Sequence, residues 1–294
     1  MNKIKPTTQE RKALLYLFPA VALLAFFFLW PIALSFFYSM TDMTLSGTKA
    51  HDYDFVALEN FKRLLVDPLF KTSFANTLVF LFSSIFGQMI LGFILALLMK
   101  EKKKWIRNFA GLAALIGWIM PEIVVSFCWI AFFAKEGTLT AILTGLGVLA
   151  TPVSWLFKYP MACVIVTNIW HGTAFSMMQF QAALDGISRE VDEAAELDGA
   201  TGIRKLIYIV LPLVKQTTMT LMSLIILRTL SVFGLIYSMT GGGPGTRTTT
   251  LSIYMYKQAF GSYQMGYGTA IALVMLIIGI VMCVISMKLS KSKI

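Results

Sequence analysis

The sequence predicts an all-α polytopic membrane protein with six transmembrane helices, and three observations lead to that prediction. Of the 294 residues, 57% are hydrophobic and only 14% are charged, whereas a soluble domain has about 25% charged residues. The chain therefore has too few charges to cover a water-exposed surface, which excludes a soluble enzyme and a disordered chain. Its apolar residues form long continuous runs instead of the alternating ten-residue segments of a closed barrel, which favours helices.

Six apolar runs are long enough to cross about 30 Å of hydrocarbon, a distance that takes about 20 helical residues. They are residues 13–40, 73–99, 106–134, 155–182, 211–240 and 265–287. Basic residues precede the first run, as in a secretion signal, but the run is too long for a signal and five more follow. We expect it to be a retained helix that starts translocation.

The distribution of Lys and Arg predicts that both ends of the chain lie in the cytoplasm. The predicted inner segments are 1–12, 100–107, 183–215 and 288–294. The predicted outer segments are 41–72, 135–158 and 240–264. The inner segments hold 16 basic residues in 60 positions and the outer ones eight in 81. This bias explains most of the formal net charge of +10, so no nucleic-acid partner is expected, and Lys102–Lys104 is expected to anchor the topology near anionic membrane lipid.

We expect one transmembrane domain over residues 1–294, with two notable loops. The extracytoplasmic loop 41–72 is polar and acidic, and a short helix is expected at Leu58–Leu65. The cytoplasmic loop 184–210 is rich in strong helix formers from Arg189 to Leu197.

The cytoplasmic loop predicts a helix, a turn and a second helix. Ser188 is a good N-cap and acidic residues fill the first turn, where the helix dipole favours them. Gly199 ends the first helix, and Thr201 can cap a second helix that runs towards Pro212. Ala194 and Ala195 make the first helix slim, so it either docks in a groove of another protein or is an ordinary solvated surface helix.

No metal site, disulfide framework or catalytic residue is expected in this chain. The cysteines lie in apolar runs without ligand spacing, and the two histidines are far apart. They are Cys128, Cys163, Cys283, His51 and His171. The glycine-rich stretch after position 240 superficially suggests a phosphate loop, but it lacks the Gly-Lys-Ser/Thr ending of a Walker sequence.

Two ionisable side chains, Glu122 and Arg228, lie near the middle of predicted spans. A charge at a helix centre costs about 2.5–3.5 kcal/mol on insertion scales, so neither is expected to face lipid. Three interpretations stay open: they line a translocation cavity, they pair with each other, or each is satisfied locally by backbone carbonyls. Aromatic faces and amides in the spans are candidate substrate contacts, namely Trp118, Trp129, Asn168, Trp170, Gln179 and Tyr237. Pro121, Pro160 and Pro212 are candidate kinks.

Several motifs of this chain resemble those of a known family. The sequence Glu193-Ala-Ala-Glu-Leu-Asp-Gly-Ala200, followed by Ile209-Val-Leu-Pro212, resembles the EAA loop of binding-protein-dependent ABC importer permeases. Further segments are similar to the larger-type sugar permeases: Leu58–Phe61, Asp67–Phe70, Asn76–Leu78, Met239–Pro244, Thr248–Leu251 and Tyr254–Phe260. The resemblance covers roughly residues 14–290.

The resemblance implies a type I ABC importer permease fold in a bacterial-type cytoplasmic (inner) membrane. It implies a heterodimer with a second homologous permease, two cytoplasmic ATPases that bind ATP and Mg²⁺, and an extracytoplasmic substrate-binding protein. It assigns ATPase coupling to Glu193, Ala194, Ala195, Leu197, Asp198, Gly199 and Ala200. It also makes Gly241, Gly242, Gly243 and Pro244 a candidate contact with the binding protein. The ATPases would drive alternating access of the bundle.

This sequence departs from the family pattern at three positions. The family often has Pro near Ser188, an aromatic residue at the position of Leu206, and Asp at the position of Gly234. The predicted substrate is a sugar or oligosaccharide, with glycerol-phosphate or a polyol as the alternative in the same class. A self-contained secondary transporter or channel is the alternative of another class; it predicts an inverted repeat, which the sequence lacks. A membrane-embedded transferase or protease would need clustered His, Asp or Ser.

Overall fold

A computed structural model describes residues 8–291, and the predicted spans are helical in it. Part of the predicted inner charge, at positions 1–7 and 292–294, lies outside the described residues. The chain forms two compact units. One comprises the chain up to Val66 together with Met255–Val274, and the other comprises Asp67–Tyr254 and the chain from Met275 onward.

The first unit contains the predicted first span and the outer loop. Its helices are α1 (Thr8–Leu24), a π-helical segment (Ala25–Leu29), α2 (Trp30–Ser39), a 3₁₀ turn (Thr48–Ala50) and α3 (Glu59–Val66). α3 confirms the short helix expected in the outer loop. The apolar window of the first span, within Tyr16–Ser39, is not buried inside the chain at any residue.

Polar contacts hold the loop of the first unit in place. The Asn60 side-chain amide donates to the carbonyls of Ser39 (2.9 Å) and Thr41 (2.8 Å). Lys49 lies between two carboxylates: its Nζ is 3.0 Å from Asp42 and it also pairs with Asp54. The backbone N–H of Asp54 donates to the Asp42 carboxylate at 2.7 Å. The loop is therefore an ordered element that rests on hydrogen bonds and ion pairs.

The second unit contains most of the membrane-length helices. Its helices, long and short, are α4 (Pro68–Lys100), α5 (Lys104–Ile119), α6 (Glu122–Phe133), α7 (Thr138–Gly145), α8 (Trp155–Lys158), α9 (Pro160–Asp185), α10 (Arg189–Leu197), α11 (Gly202–Lys205), α12 (Leu211–Leu213), α13 (Lys215–Leu230), α14 (Gly234–Thr240) and α15 (Leu251–Tyr256). A π-helical segment at Leu206–Val210 follows α11. Another, at Lys257–Gly261 after α15, belongs to the first unit, and α16 (Met265–Lys291) is shared by the two units.

Small residues let α4 and α9 pack closely along their length. A Cβ added at Gly92 would lie 2.5 Å from the Ser176 Cβ, and one at Gly172 would lie 2.1 Å from the Gln88 Oε1. Helices in membranes associate through such close backbone approach and through hydrogen bonds between helices. The Gln88 amide supplies one of these, donating to the carbonyl of Asn168 at 3.2 Å.

Two spans predicted as continuous helices are interrupted well inside their length. The run 106–134 breaks at Met120–Pro121 because Pro121 has no N–H and disfavours a helical residue before it; Met120 has ψ 132°. The run 211–240 breaks between α13 and α14, at Ser231–Phe233. Near the start of that run, the segment from α11 to α12 meets α13 at 68°, beside Pro212. The run 155–182 also has a break near its start, at Tyr159, because Pro160 begins α9. The continuous-helix prediction is therefore wrong in these three runs.

Two apolar cores follow one another along α4 and α9. The α13 core includes Met177, Phe180, Leu184, Val210, Val214 and Leu221. The loop-side core includes Phe80, Phe133, Val164, Leu235, Ile236 and Met239. Within residues 8–291, five helical stretches are long and apolar enough to cross a membrane, and a sixth is obtained if the bent pair counts as one span. The topology with six spans and both chain ends in the cytoplasm therefore stays a prediction.

Candidate functional site

The predicted helix in the loop after α9 is present with the expected bounds, Arg189–Leu197. Gly199 ends it with φ +74°, a conformation that glycine adopts readily. The backbone N–H of Ala200 then donates to the carbonyl of Ala195 at 2.8 Å, which closes the turn. The two alanines differ in position, because Ala195 is buried against its own chain and Ala194 is exposed.

Three apolar side chains of this loop are at least 75% exposed on the isolated chain. Leu197 is 90% exposed, and Ile203 and Tyr208 are each 75% exposed. The sequence analysis singled out Leu197 but missed Ile203 and Tyr208. Their position in a polar stretch of the sequence could have indicated that they are exposed. Thr201 occupies the N-cap position of α11 but makes no side-chain capping bond, so that part of the prediction is wrong. Leu206 packs against the α13 core.

The two helix interruptions meet at Glu122. The Glu122 Oε2 accepts a hydrogen bond from the backbone N–H of Leu235 at 3.3 Å, in the first turn of α14. The Ser126 hydroxyl donates to the Glu122 carbonyl at 2.8 Å and contacts the Leu235 carbonyl at 3.4 Å. A Cβ at Gly234 would lie 3.0 Å from the Glu122 Oε2. The carboxylate therefore occupies the space beside position 234, where the family often carries Asp.

Arg228 is held by aromatic rings. Its guanidinium carbon lies 5.4 Å from the Trp118 ring centroid and 5.5 Å from that of Phe175, within the range of cation–π attraction. The two rings stack on each other at 5.4 Å. Across the described part of the chain, no ion pair within 4.0 Å joins Arg228 to Glu122. The two charges thus have different immediate partners, and Arg228 is exposed on the isolated chain.

Several buried polar side-chain atoms of α5 and α9 have no hydrogen-bond partner within residues 8–291. They are the Trp118 Nε1, the Asn168 Nδ2 and the His171 Nε2. His171 lies one turn after Asn168 on α9, beside the carbonyls of Trp118 and Met120. We call Trp118, Glu122, Asn168, His171 and Arg228 the polar centre. Buried donors are normally satisfied, so this group has hydrogen-bonding capacity left for a polar molecule.

The other candidate substrate contacts lie elsewhere. Trp129 and Trp170 meet at 5.8 Å and line an apolar cavity of about 570 Å³. Gln179 lines a smaller, more polar cavity of about 210 Å³ with Gln216. Tyr237 stacks on Phe233 at 5.1 Å. Of the six predicted contacts, the structure thus brings only Trp118 and Asn168 into the polar centre, and it adds His171.

The glycine-rich stretch forms the expected tight turn. Gly241, Gly242 and Gly245 have positive φ, and the Gly243–Pro244 peptide is cis. The hydroxyls of Thr248 and Thr249 donate to the carbonyls of Gly243 and Gly242 at 2.9 and 2.8 Å.

A residue of α4 holds the far side of this turn. The Asn76 amide donates to the carbonyls of Thr246 (2.9 Å) and Thr249 (3.1 Å). In the described part of the chain, no group of three His, Cys, Asp or Glu residues could hold a metal ion.

Membrane-length helices, two interrupted spans around a polar centre and an exposed helical loop define the class as a transport permease. Residues 88–292 match the family described as the binding-protein-dependent transport system inner membrane component. The chain belongs to this family, and it is a multi-pass subunit of the cytoplasmic membrane.

Individual relatives match along nearly the whole chain. It is 31% identical over 289 residues to the sulfoquinovosyl glycerol transport system permease protein SmoG of Agrobacterium fabrum, covering 96% of this chain and 91% of that protein. It is 32% identical over 290 residues to the arabinooligosaccharides transport system permease protein AraP of Bacillus subtilis, covering 96% and 90%. A solved bacterial alginate ABC transporter, in complex with an alginate pentasaccharide-bound periplasmic protein, has the same fold: TM-score 0.79, 20% identity and 97% coverage of both chains.

Proposed function

We propose that this chain is the transmembrane subunit of an ATP-driven saccharide importer and forms half of its translocation pore. SmoG and AraP are transport permeases for sulfoquinovosyl glycerol and arabinooligosaccharides, and the chain matches both over nearly their full length. Its partners would be a second homologous permease, two cytoplasmic ATPases that bind ATP and Mg²⁺, and an extracytoplasmic binding protein. The periplasmic protein in the alginate complex supports the last of these.

The observation that carries the proposal is the exposed apolar surface of the loop after α9. Leu197, Ile203 and Tyr208 are largely exposed in a loop that also carries charged residues. Burying one such side chain is worth about 1.5–3 kcal/mol. An ATPase groove that covers these residues would gain that free energy, and the acidic side chain of Glu193 would be available to a basic partner.

The loop is connected to two helices of the second unit, α9 and α13. It leaves α9 at Asp185 and re-enters through α11, which leads to the 68° bend before α13. A displacement of the loop therefore reaches α9 and α13, which carry Asn168, His171 and Arg228 of the polar centre. The ATP-bound ATPases would bind one arrangement of the bundle better than the other and so shift the population between inward-facing and outward-facing states.

The polar centre is the proposed substrate contact. The unpartnered N–H groups of Trp118 and Asn168 can donate to sugar hydroxyl oxygens, and the aromatic shelf of Trp118 and Phe175 offers a flat apolar face. Arg228 has no carboxylate within ion-pair distance in the described chain, so its guanidinium favours a saccharide with an acidic group. Glycerol-phosphate is the alternative that satisfies the same feature.

Purification of the tagged chain from its native membrane in a mild detergent, with mass spectrometry of everything retained, tests the assembly. A second permease and a Walker-motif ATPase in a 1:1:2 ratio are expected. The same purification with residues 193–200 deleted is expected to retain the second permease and lose the ATPase. A chain that purifies alone and transports without ATP after reconstitution would contradict the proposal.

Uptake measurements with the reconstituted complex test the substrate class. Neutral oligosaccharides, uronate oligosaccharides and glycerol 3-phosphate are compared in the parent and in Arg228→Gln. Lys135→Gln, which removes one exposed positive charge after α6, is the matched control. Arg228→Gln is expected to reduce uptake of the acidic compound selectively. Equal losses for neutral and acidic compounds would contradict the assignment of Arg228 to an acidic group.

A further inference from the structure

A groove with charged and apolar ends runs between α5 and α9, nearer the N-terminal end of α5 than the Trp129–Trp170 cavity. It encloses about 830 Å³. Its polar lining is concentrated at the N-terminal end of α5 and the C-terminal end of α9, with Lys102, Lys104, Arg107, Asn108, Gln181 and Asp185. This is also the end of α9 that leads into the coupling loop.

The polar end carries a positive charge that the chain itself does not neutralise. Arg107 pairs with Asp185, which joins the two helices at this point. Lys102 and Lys104 line the same space and both are exposed. Neither side-chain ammonium group has an ion-pair or hydrogen-bond partner within residues 8–291. Two positive charges therefore remain available at one end of the groove.

The remainder of the groove is apolar. Leu112, Leu115 and Met178 line it, and Gly111 leaves it open, since no atom lies within 4 Å of a Cβ added there. From Lys104 to Leu115 the α5 helix rises by about 16 Å. The groove thus has a cationic polar end and an apolar part that together extend over this length. These dimensions match a phospholipid headgroup and the upper part of its acyl chain.

We propose that this groove binds an anionic phospholipid from the leaflet on the coupling-loop side, with the phosphate against Lys102 and Lys104. The cytoplasmic leaflet carries a negative surface potential, and basic pockets between membrane helices on that side suit anionic headgroups. Asp185 is the last residue of α9, and α10 begins at Arg189. A lipid in this groove would therefore brace the helix ends from which the coupling loop starts.

Native mass spectrometry of the full chain, purified with whatever subunits remain attached, tests the proposal. The protein is titrated with dioleoylphosphatidylglycerol and, separately, with dioleoylphosphatidylcholine. The parent is expected to prefer the anionic lipid. Because a basic residue near an anionic surface contributes about 1 kcal/mol, Lys102→Gln/Lys104→Gln is expected to weaken that binding by about 30-fold.

Lys103→Gln/Lys288→Gln is the matched control, because it removes the same charge from residues that do not line the groove. It is expected to change binding less than threefold. Gly111→Leu keeps every charge but fills the groove, and it is expected to displace the anionic lipid while the protein remains folded.

Three outcomes would overturn the proposal. One is equal affinity for the two lipids, and another is an equal loss in the lysine pair and its control. The third is displacement by inorganic phosphate together with unchanged binding in Gly111→Leu, which would assign the cationic end to a soluble anion instead of a lipid.

Discussion

The carboxylate of Glu122 accepts a hydrogen bond from the backbone N–H of Leu235, 113 residues further along the chain. The bond joins the first turn of α6 to the first turn of α14, directly after two helix interruptions. A carboxylate at the N-terminus of a helix is favourable because the free N–H groups there carry partial positive charge. Glu122 therefore fixes how the two half-helices of the loop-side core meet.

Replacing Glu122 with alanine is expected to reduce transport by the complex by about tenfold or more. The substitution leaves a partly buried N–H without its acceptor, at a cost of about 1–3 kcal/mol. Glu122→Gln retains a carbonyl acceptor and is expected to keep most of the activity. Uptake by the reconstituted complex is the measurement, and equal losses in both variants would argue that the negative charge matters more than the hydrogen bond.

A double-mutant cycle of Glu122→Gln and Arg228→Gln separates capping from direct pairing. Because Arg228 lies on the rings of Trp118 and Phe175, the coupling free energy is expected to be below about 0.5 kcal/mol. A coupling above about 1 kcal/mol would support the ion pair that the sequence left open.

Leu197→Ala is expected to weaken retention of the ATPase about tenfold. The side chain is 90% exposed on the isolated chain, and a contact that buries it would lose most of the apolar stabilisation, about 1.5–3 kcal/mol. Leu146→Ala is the matched control, since Leu146 is 71% exposed and follows α7. Affinity is measured by titrating purified ATPase onto the permease, and equal effects of both substitutions would contradict a specific role for Leu197.

Gly92→Ala is expected to lower the free energy of unfolding by about 1–3 kcal/mol, the usual cost of overpacking. The added methyl group would lie 2.5 Å from the Ser176 Cβ and 2.9 Å from the backbone nitrogen of Met177, which cannot move independently. Gly111→Ala is the control, because its Cβ meets nothing within 4 Å and alanine is the better helix former. Thermal unfolding in detergent should separate the two variants; equal stability would mean that α4 and α9 adjust freely.

Order in the outer loop is expected to persist from about pH 5 to 9 and to be lost in acid. Burial raises the pKa of Asp42, but hydrogen bonds from the Asp54 N–H and from Lys49 outweigh it, so the pKa lies below 3.8. Because the native carboxylate binds its proton more weakly, its contribution is complete above that value and is lost as the pH falls through the native pKa. At the alkaline end, hydrogen bonds to Asp54 and Asp42 raise the pKa of Lys49 above 10.5, so its contribution is lost only as the pH rises beyond that value.

Hydrogen exchange of residues 42–56, corrected for intrinsic rates, measures this loop directly. Lys49→Met is expected to increase exchange at neutral pH. Lys62→Met should not, since the exposed Lys62–Glu59 pair, 3.9 Å apart, contributes little. Unchanged protection in Lys49→Met would show that the ion pairs do not hold the loop.

The sequence predicts the helices better than it predicts their interruptions. Long apolar runs and the Arg189–Leu197 pattern are local signals, so α4, α9, α10 and α16 follow from composition and capping. The break at Pro121 was indicated only as a candidate kink, and the break after Leu230 has no proline to mark it. The packing of α6, α9 and α14 decides which side chains surround Glu122. The sequence of a single apolar run does not show which other helices it packs against. Trp118 and Asn168 could therefore be proposed from residue type, whereas the cap on Leu235 could not.

The length of α4 makes it a lever. A helix of 33 residues extends for about 50 Å, so a tilt of about 10° about its midpoint moves each end by about 4 Å in opposite directions. Near one end of α4, the Asn76 amide donates hydrogen bonds to two carbonyls of the glycine-rich turn. The other end of α4 leads into the segment that carries Lys102. A small tilt of α4 that starts at one face of the membrane would therefore move the residues at its other end by more than a bond length. No helix would have to bend for this to happen.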